Sequence, residues 1–167
     1  MYGAAVIHAA KMLRDGKGKD EIVEYLTDAT HSMGACFLVE DLLHLKKGGR
    51  INTASLVIAN MLDIKPMLAV KDGLVVQDGK LRGNKRVMKK LVDKVKGEGH
   101  ELSGKSVFVV TTACKEKAAE LQEELENAFD GVKCINIQLG SIIGCHAGPD
   151  LVGFVYSDKY DFFDYED

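Results

Sequence analysis

The first thirty residues carry apolar side chains at helical spacing. A stripe of small and aliphatic residues runs from Ala4 to Leu13 and stops at Asp15 and Gly16. A second stripe covers residues 19–32. This spacing predicts two amphipathic helices. The first helix has no apolar partner nearby in the sequence, so we expect the pair to dock on another part of a larger protein.

The remaining chain predicts strands that alternate with helices. Short runs rich in β-branched and aromatic residues predict strands at 35–39, 64–70, 74–77, 80–82, 106–111, 132–138 and 151–156. Helical periodicity predicts helices at 40–47, 84–97 and 115–129, and another that begins at Asn52 or Thr53. Residues 140–149 are expected to form a loop with about one helical turn. Pro66 favours an edge position for its strand, and Asp78-Gly79 favours a tight turn.

These elements predict an α/β (α+β) fold class, built as a two-layer mixed β-sheet with helices on one face and two helices before it. We expect three parts: a helical segment over residues 1–33, an α/β domain over residues 34–157, and an acidic, flexible tail over residues 158–167.

The composition of the chain disfavours several classes of function. Of the 167 residues, 46% are hydrophobic and 28% are charged, which is typical of a folded protein that needs no metal or disulfide. The net charge of −3 is spread along the chain, which disfavours a nucleic-acid-binding role. No run of 18 apolar residues and no basic leader is present, so we expect a cytoplasmic protein. The cysteines form no CxxC pair, and we expect reduced thiols at Cys36, Cys114, Cys134 and Cys145.

The segment Lys46-Lys47-Gly48-Gly49-Arg50 is a candidate anion site. Two glycines allow positive φ angles and leave amide hydrogens accessible, and Arg50 offers a planar fork that matches a carboxylate or phosphate. The same residues also suit the C-terminal cap of the preceding helix, where lysines favour the negative end of the dipole. Both interpretations stay open at this point.

His146 lies in a glycine-rich loop, Gly144-Cys145-His146-Ala147-Gly148-Pro149, after a predicted strand. The carboxyl ends of strands in α/β sheets are common ligand sites, and an imidazole there could donate to an anion. A plain surface histidine is the alternative. A Cys145–His146 nucleophilic pair is disfavoured, because adjacent side chains point apart.

Arg82 opens a cationic patch that continues along the following helix. The other members of the patch are Lys89, Lys90, Lys94 and Lys96. Such a helix face is ordinarily solvated. The functional alternative is a docking surface for an acidic partner protein, and an acidic membrane surface is a weaker option.

Several ordered motifs resemble one bacterial family. A leucine-rich segment ends in Lys46-Lys47-Gly48-Gly49-Arg50-Ile51; Ile64-Lys65-Pro66-Met67-Leu68, Asp72-Gly73, Arg82-Gly83 and His146-Ala147-Gly148-Pro149 follow in order. This set is similar to the motifs of the DegV family of fatty-acid-binding proteins, over about residues 1 to 157. Position 150 is aspartate where the family usually has glycine. The resemblance implies that the family's N-terminal domain, with its carboxylate-binding hydroxyls, is absent from this chain.

The resemblance implies a carrier and not an enzyme. It would bind one long-chain fatty acid in a tunnel and present the carboxylate to a separate fatty acid kinase, which forms the acyl phosphate, with no cofactor and no metal. By resemblance, Arg50, His146, Gly48 and Gly49 would surround the head group, and Arg82 would meet the kinase. Residues that would help to line the tunnel are Leu56, Ile58, Met61, Leu62 and Met67.

Three other functions remain as alternatives. The chain could be a scaffold or interaction domain without lipid, a small acyl-transfer enzyme that uses Cys145 and His146, or, more remotely, a regulator that binds DNA through its Lys/Arg face. An exposed apolar interface would also favour homo-oligomers, and transient contact with a membrane surface is a further expectation.

Overall fold

The computed structural model describes residues 1–40, 42–50, 64–71, 73–83, 86–157 and 159–161. The helices are α1 (Tyr2–Arg14), α2 (Lys19–Ser32), α3 (Leu43–Lys47), α4 (Val87–Gly97), α5 (Lys115–Ala128) and α6 (Ser141–Ala147). The strands are β1 (Met33–Leu38), β2 (Ile64–Lys71), β3 (Leu74–Arg82), β4 (Ser106–Thr111), β5 (Lys133–Gln138) and β6 (Val152–Ser157). The helix expected after Asn52 and the end of the tail, residues 162–167, lie outside the described residues.

The strands form one six-stranded sheet in the order β3-β2-β1-β6-β4-β5. The β4–β5 pair is parallel and the other neighbours are antiparallel. The predicted α/β class with a mixed sheet is therefore confirmed. These pairings make β1, β3, β4 and β5 run in the same direction, so their carboxyl ends lie at one end of the sheet. We call this end the carboxyl end.

One face of the sheet is covered by α4 and α5, as expected. Successive strand residues point to opposite faces, and the residues on this side form the larger core. That core includes Cys36, Leu38, Met67, Leu91, Val95, Val107, Val109, Leu121, Leu125 and Phe154. The buried face of each helix alternates with charged positions, which explains why sequence periodicity located both helices.

The opposite face is covered as well, by two separate groups of helices. Side chains from α1 and α2 pack at one end around Ala4, Ala29 and Phe108. At the carboxyl end, α3 and α6 pack around Phe37, Leu45, Leu68 and Ala147. The strand β6 is buried at every position, which is typical of a strand with both faces covered. This second layer extends the predicted two-layer arrangement.

The N-terminal helices are tied to the sheet by the segment after β6. Lys159 Nζ donates to Asp28 Oδ2 at 2.6 Å, and the Tyr160 hydroxyl donates to the same carboxylate. The hydroxyls of Ser32 and Ser157 are 3.0 Å apart. Lys159 and Tyr160, which we expected in a flexible tail, thus contact α2, and Asp161 Oδ1 accepts a hydrogen bond from Ser106 N of β4 at 3.3 Å.

The hairpin β2–β3 differs in detail from the prediction. Asp78-Gly79 is not a turn, because β3 continues through it, and the ladder with β2 shifts register between Pro66 and Leu68. Pro66 is also not on an edge strand, since β2 lies between β3 and β1. Its missing N–H is tolerated because β1 pairs with β2 only from Met67 onward.

Candidate functional site

The segment after α3 forms a compact helix-terminating turn. Gly49 has φ of +67°, its N–H donates to Lys46 O at 3.0 Å, and the N–H of Arg50 donates to Leu45 O at 2.8 Å. These two bonds define a Schellman motif, in which a residue in the left-handed region closes the helix. The capping interpretation of the two glycines therefore describes this turn.

Arg50 follows this turn with an exposed side chain. Its Nη1 donates to Gly48 O at 2.8 Å, which fixes the guanidinium beside the turn. The backbone N–H of Gly48 donates to His44 O at 2.9 Å. Since the amides of residues 48–50 are all used within the turn, an anion here would be held by the Arg50 side chain and not by those amides. The accessible amide hydrogens that we expected are thus absent from this turn.

His146 lies on α6 and contacts the α3 turn directly. A Cβ atom built on Gly48 would overlap Nδ1 of His146, so the imidazole occupies the space that any other side chain would need. Gly48 has an ordinary φ of −79°, and the glycine is required there for space and not for backbone conformation. The structure thus brings Gly48, Gly49, Arg50 and His146 together, although about 100 residues separate the two segments.

The helix that carries His146 is longer than expected. Residues Ser141–Ala147 form α6, where the glycine-rich sequence predicted only a loop with about one turn. Cys145 and His146 are consecutive on this helix, so their side chains diverge by about 100°. Cys145 is exposed, whereas His146 is half-buried against the turn. This geometry does not suit a Cys–His nucleophilic pair.

The loop after α6 is anchored by two threonines at the end of β4. Thr111 Oγ1 donates to Leu151 O at 2.9 Å, and Leu151 N donates to Thr112 Oγ1 at 3.1 Å. The Cys114 thiol lies 3.6 Å from both Pro149 O and Asp150 Oδ1. Partial burial, together with Asp150, raises the pKa of the Cys114 thiol. The aspartate at position 150 therefore has a donor partner on the loop before α5.

A charged cluster that the sequence did not indicate lies beside this loop. Lys65 Nζ donates to Glu40 Oε1 at 2.6 Å, and Lys117 Nζ donates to the same carboxylate. Partial burial opposes ionisation of Glu40, but these two hydrogen bonds lower its pKa overall. Three elements meet here because Glu40 follows β1, Lys65 begins β2 and Lys117 lies on α5. No local pattern signals a cluster assembled from such distant segments.

Two remaining predicted residues lie elsewhere. Arg82 is exposed at the end of β3, and its carbonyl accepts a hydrogen bond from Lys90 Nζ at 2.7 Å. Met67 is buried in the core under α4 and α5, on the face opposite α3 and α6. The other expected tunnel residues, Leu56, Ile58, Met61 and Leu62, lie outside the described residues.

Large apolar side chains are exposed around the carboxyl end. Ile142 is 79% exposed and Ile143 is 46% exposed, both on α6, and Leu43 on α3 and Ile137 on β5 are also exposed. A surface of neighbouring apolar groups beside cationic groups is typical of a binding surface. His146 therefore lies on a helix, α6, that also exposes two isoleucines, and Arg50 follows a helix, α3, that exposes Leu43.

A separate cleft of about 370 Å³ opens between the ends of β4 and β5 and the first turns of α5. Its walls include Thr111, Lys115, Gln122 and Asn136, and Asn136 Nδ2 donates to Gln122 Oε1 at 2.7 Å. Among the described residues, no cluster of histidine, cysteine or acidic side chains is arranged to hold a metal ion. Within the same residues, no helix is both long and apolar enough to cross a membrane.

Comparison with known proteins identifies the family of the whole chain. The family model described as the DegV family matches residues 1–159. The chain belongs to the DegV family. A DegV domain-containing protein of Clostridium acetobutylicum is 33% identical over 154 residues, which is 92% of this chain and 54% of that protein.

Solved DegV structures share the fold. A fatty-acid-binding DegV protein of Streptococcus agalactiae is 29% identical with a TM-score of 0.77, covering 93% of this chain and 55% of that one. A DegV protein of Thermus thermophilus described for fatty acid binding is 27% identical with a TM-score of 0.79, covering 93% and 56%. This DegV chain spans about half the length of the relatives that it matches.

Proposed function

We propose that this chain is part of a long-chain fatty-acid carrier and contributes a guanidinium and an imidazole to its carboxylate site. The single observation that supports this best is the convergence of Arg50 and His146 on the α3 turn, with Gly48 leaving room for the imidazole. A guanidinium and an imidazole suit a carboxylate head group. The relatives from Streptococcus agalactiae and Thermus thermophilus, described as binding fatty acids, support the same ligand class.

The acyl chain of the ligand would extend from this head-group site over the exposed aliphatic side chains of α3 and α6. Leu43, Ile142 and Ile143 are in the right region of the molecule, and each has apolar surface that a ligand could cover. Residues 51–63, which include the expected tunnel residues, come directly after Arg50 in the sequence. Met67 belongs to the core on the other face, so its contribution in this proposal is to packing.

The carrier role extends to a partner protein. We propose that a separate fatty acid kinase receives the carboxylate in the cytoplasm and supplies the phosphoryl transfer, and that this chain is not itself an enzyme. Arg82 ends β3, and β1, which leads into α3, ends at that same end of the sheet. An exposed arginine at this position suits contact with an acidic partner. The consecutive positions of Cys145 and His146 argue against the acyl-transfer alternative.

The ligand is tested first by native mass spectrometry and lipid extraction of the purified chain, followed by titration of the delipidated chain with palmitate. We expect a stoichiometric long-chain fatty acid to co-purify. Arg50→Ala and His146→Ala should each weaken palmitate binding roughly tenfold or more, because each removes a charge-assisted or donor contact. His31→Ala, on the far end of α2, is the matched control.

A lipid-free chain that fails to bind palmitate would overturn the proposal and favour the alternative of a scaffold domain. For the partner, Arg82→Ala should reduce phosphorylation by the kinase without changing palmitate affinity. If phosphorylation and palmitate affinity fell equally, Arg82 would belong to the ligand site. If neither changed, Arg82 would not belong to the docking surface.

A further inference from the structure

Each of the helices α3 and α6 places a histidine ring against the glycine that ends the other helix. His146 of α6 lies over Gly48 at the end of α3, and His44 of α3 lies over Gly148 at the end of α6. A Cβ built on Gly148 would lie 2.9 Å from Nδ1 and 3.2 Å from Cγ of His44. Each ring therefore rests on the backbone that ends the other helix.

From this arrangement we infer that His44 is a positioning residue for the carboxylate site: its ring sets the distance between the turn before Arg50 and the end of α6, which carries His146. The inference rests on the proposed function for its effect on ligand binding. The packing arrangement itself is independent of any ligand.

The backbone of Gly148 makes this contact sensitive to the shape of the opposing side chain. Gly148 has φ of +84° and ψ of 176°, a region that only glycine occupies readily. It lies two residues after His146 and ends α6, so its conformation sets how the loop leaves the helix. The His44 ring limits the space into which this backbone could relax.

His44 also joins the two halves of the site through its main chain. Its carbonyl accepts the hydrogen bond from Gly48 N at 2.9 Å, directly beneath the His146 ring. Movement of His44 would consequently displace both Gly48 and Gly148. The carbonyl of Gly48 in turn holds the Arg50 guanidinium at 2.8 Å. A short chain of contacts thus runs from Arg50 through Gly48 and His44 to Gly148 at the end of α6.

This chain matters because hydrogen bonding is sensitive to distance. Donor–acceptor separations of about 2.7–3.2 Å are needed, and a displacement of about 1 Å removes the bond. A donor that follows α3 and a donor on α6 can hold one carboxylate only if the two helices keep their spacing. A planar ring at position 44 maintains that spacing, and a small side chain does not.

The test uses the complete chain with His44→Ala, His44→Phe and, as control, the exposed His31→Ala at the other end of the sheet. The first readout is the NMR signal of the His146 imidazole in the ligand-free chain, where only five histidines contribute. The second is palmitate affinity by calorimetry, and the third is thermal unfolding.

We expect His44→Ala to shift the His146 signal and to weaken palmitate binding about tenfold. His44→Phe should keep the His146 signal and the palmitate affinity close to those of the wild type. His31→Ala should leave both unchanged. Unchanged His146 signals in His44→Ala would overturn the inference. A lower unfolding temperature without a His146 shift and without rescue by His44→Phe would also overturn it, because that result is expected of a residue that only packs.

Failure of the proposed function gives a different result. If the wild-type chain does not bind palmitate, the fatty-acid proposal is lost. A His146 shift in His44→Ala that Phe reverses would still support the positioning role of His44, because that readout needs no ligand.

Discussion

The two faces of the sheet differ in how completely they are covered. Under α4 and α5 the core is continuous, and residues such as Leu91, Leu121 and Leu125 are fully buried. Under α3 and α6 the cluster is smaller, and the helices that cover it carry exposed side chains, with Ile142 at 79%. Among the described residues, α4 and α5 carry no exposed large apolar side chain. The other face has apolar surface that its own fold does not bury.

From this difference we expect separate roles for the two faces. The burial of apolar area stabilises the fold mainly through the α4–α5 face. The short helices α3 and α6 carry the glycines and histidines that bring Arg50 and His146 together, and glycine weakens helices. We therefore expect substitutions on the first face to change the free energy of unfolding, and substitutions around the α3–α6 junction to change binding.

The largest effect should come from Leu121→Ala on α5. The side chain is fully buried, and its removal leaves a cavity, so the free energy of unfolding should fall by about 3 kcal/mol. Palmitate affinity of the folded protein should stay unchanged. Urea unfolding and calorimetry measure the two quantities. A stability loss under about 1 kcal/mol would show that this face is less tightly packed than the structure indicates.

The next effect distinguishes two neighbouring glycines. Gly48→Ala places a Cβ on the His146 ring at an ordinary backbone angle, so palmitate affinity should fall roughly tenfold, by about 1.4 kcal/mol. Gly49→Ala meets no atom within 4 Å but has φ of +67°, so it should cost about 1 kcal/mol of stability through strain, with a smaller change in affinity. Equal affinities in the two variants would contradict the steric role of Gly48.

The next prediction concerns the pH dependence of stability at Asp78, whose partner Lys94 lies on α4. Its effect should be similar to or smaller than that of the two glycine substitutions. Partial burial opposes ionisation of Asp78, but hydrogen bonds from Lys71 and Lys94, each at 2.6 Å, lower its pKa. A lowered pKa stabilises the fold above the ordinary value of 3.8, and this contribution is lost as the pH falls through the folded-state pKa.

Asp78→Asn should therefore lower the free energy of unfolding by about 1 kcal/mol at neutral pH. The difference from wild type should shrink as the pH falls below 3.8, the ordinary pKa of the carboxyl. Asp93→Asn, which breaks an exposed pair with Lys89, is the matched control and should change little. Urea unfolding across the pH range measures both. A pH-independent deficit in Asp78→Asn would show that the side chain acts by packing and not by charge.

The smallest effect on stability should come from Ile142→Ser. Because the side chain is mostly exposed, the free energy of unfolding should change by less than about 0.5 kcal/mol. If the exposed isoleucines contact the acyl chain, palmitate affinity should nevertheless fall. A variant with normal affinity would place the acyl chain elsewhere on this face.

Much of the secondary structure follows from local patterns. The strand at residues 106–111 is confirmed at Ser106–Thr111, and the helix expected at 115–129 is found at Lys115–Ala128. Such segments are predictable because their apolar period is set by the face that they bury. The pattern fails at Asp78-Gly79, where a turn signal lies inside β3. The strand continues through these residues because the β2–β3 ladder shifts register beside Pro66.

The sequence alone determined most of the elements, the mixed sheet and the residues of the two glycine motifs, since these depend on local periodicity and on the chemistry of single side chains. It did not determine α6, where it predicts a loop, or the continuity of β3 through Asp78-Gly79. Only the tertiary structure decided that Gly48 makes room for His146, that the amides of the turn bond within it, and that His44 rests on Gly148. The hydrogen bonds of the turn are local to residues 44–50. The two histidine–glycine contacts depend instead on distances between segments about 100 residues apart, which no local pattern carries because the folded packing of both sheet faces sets them.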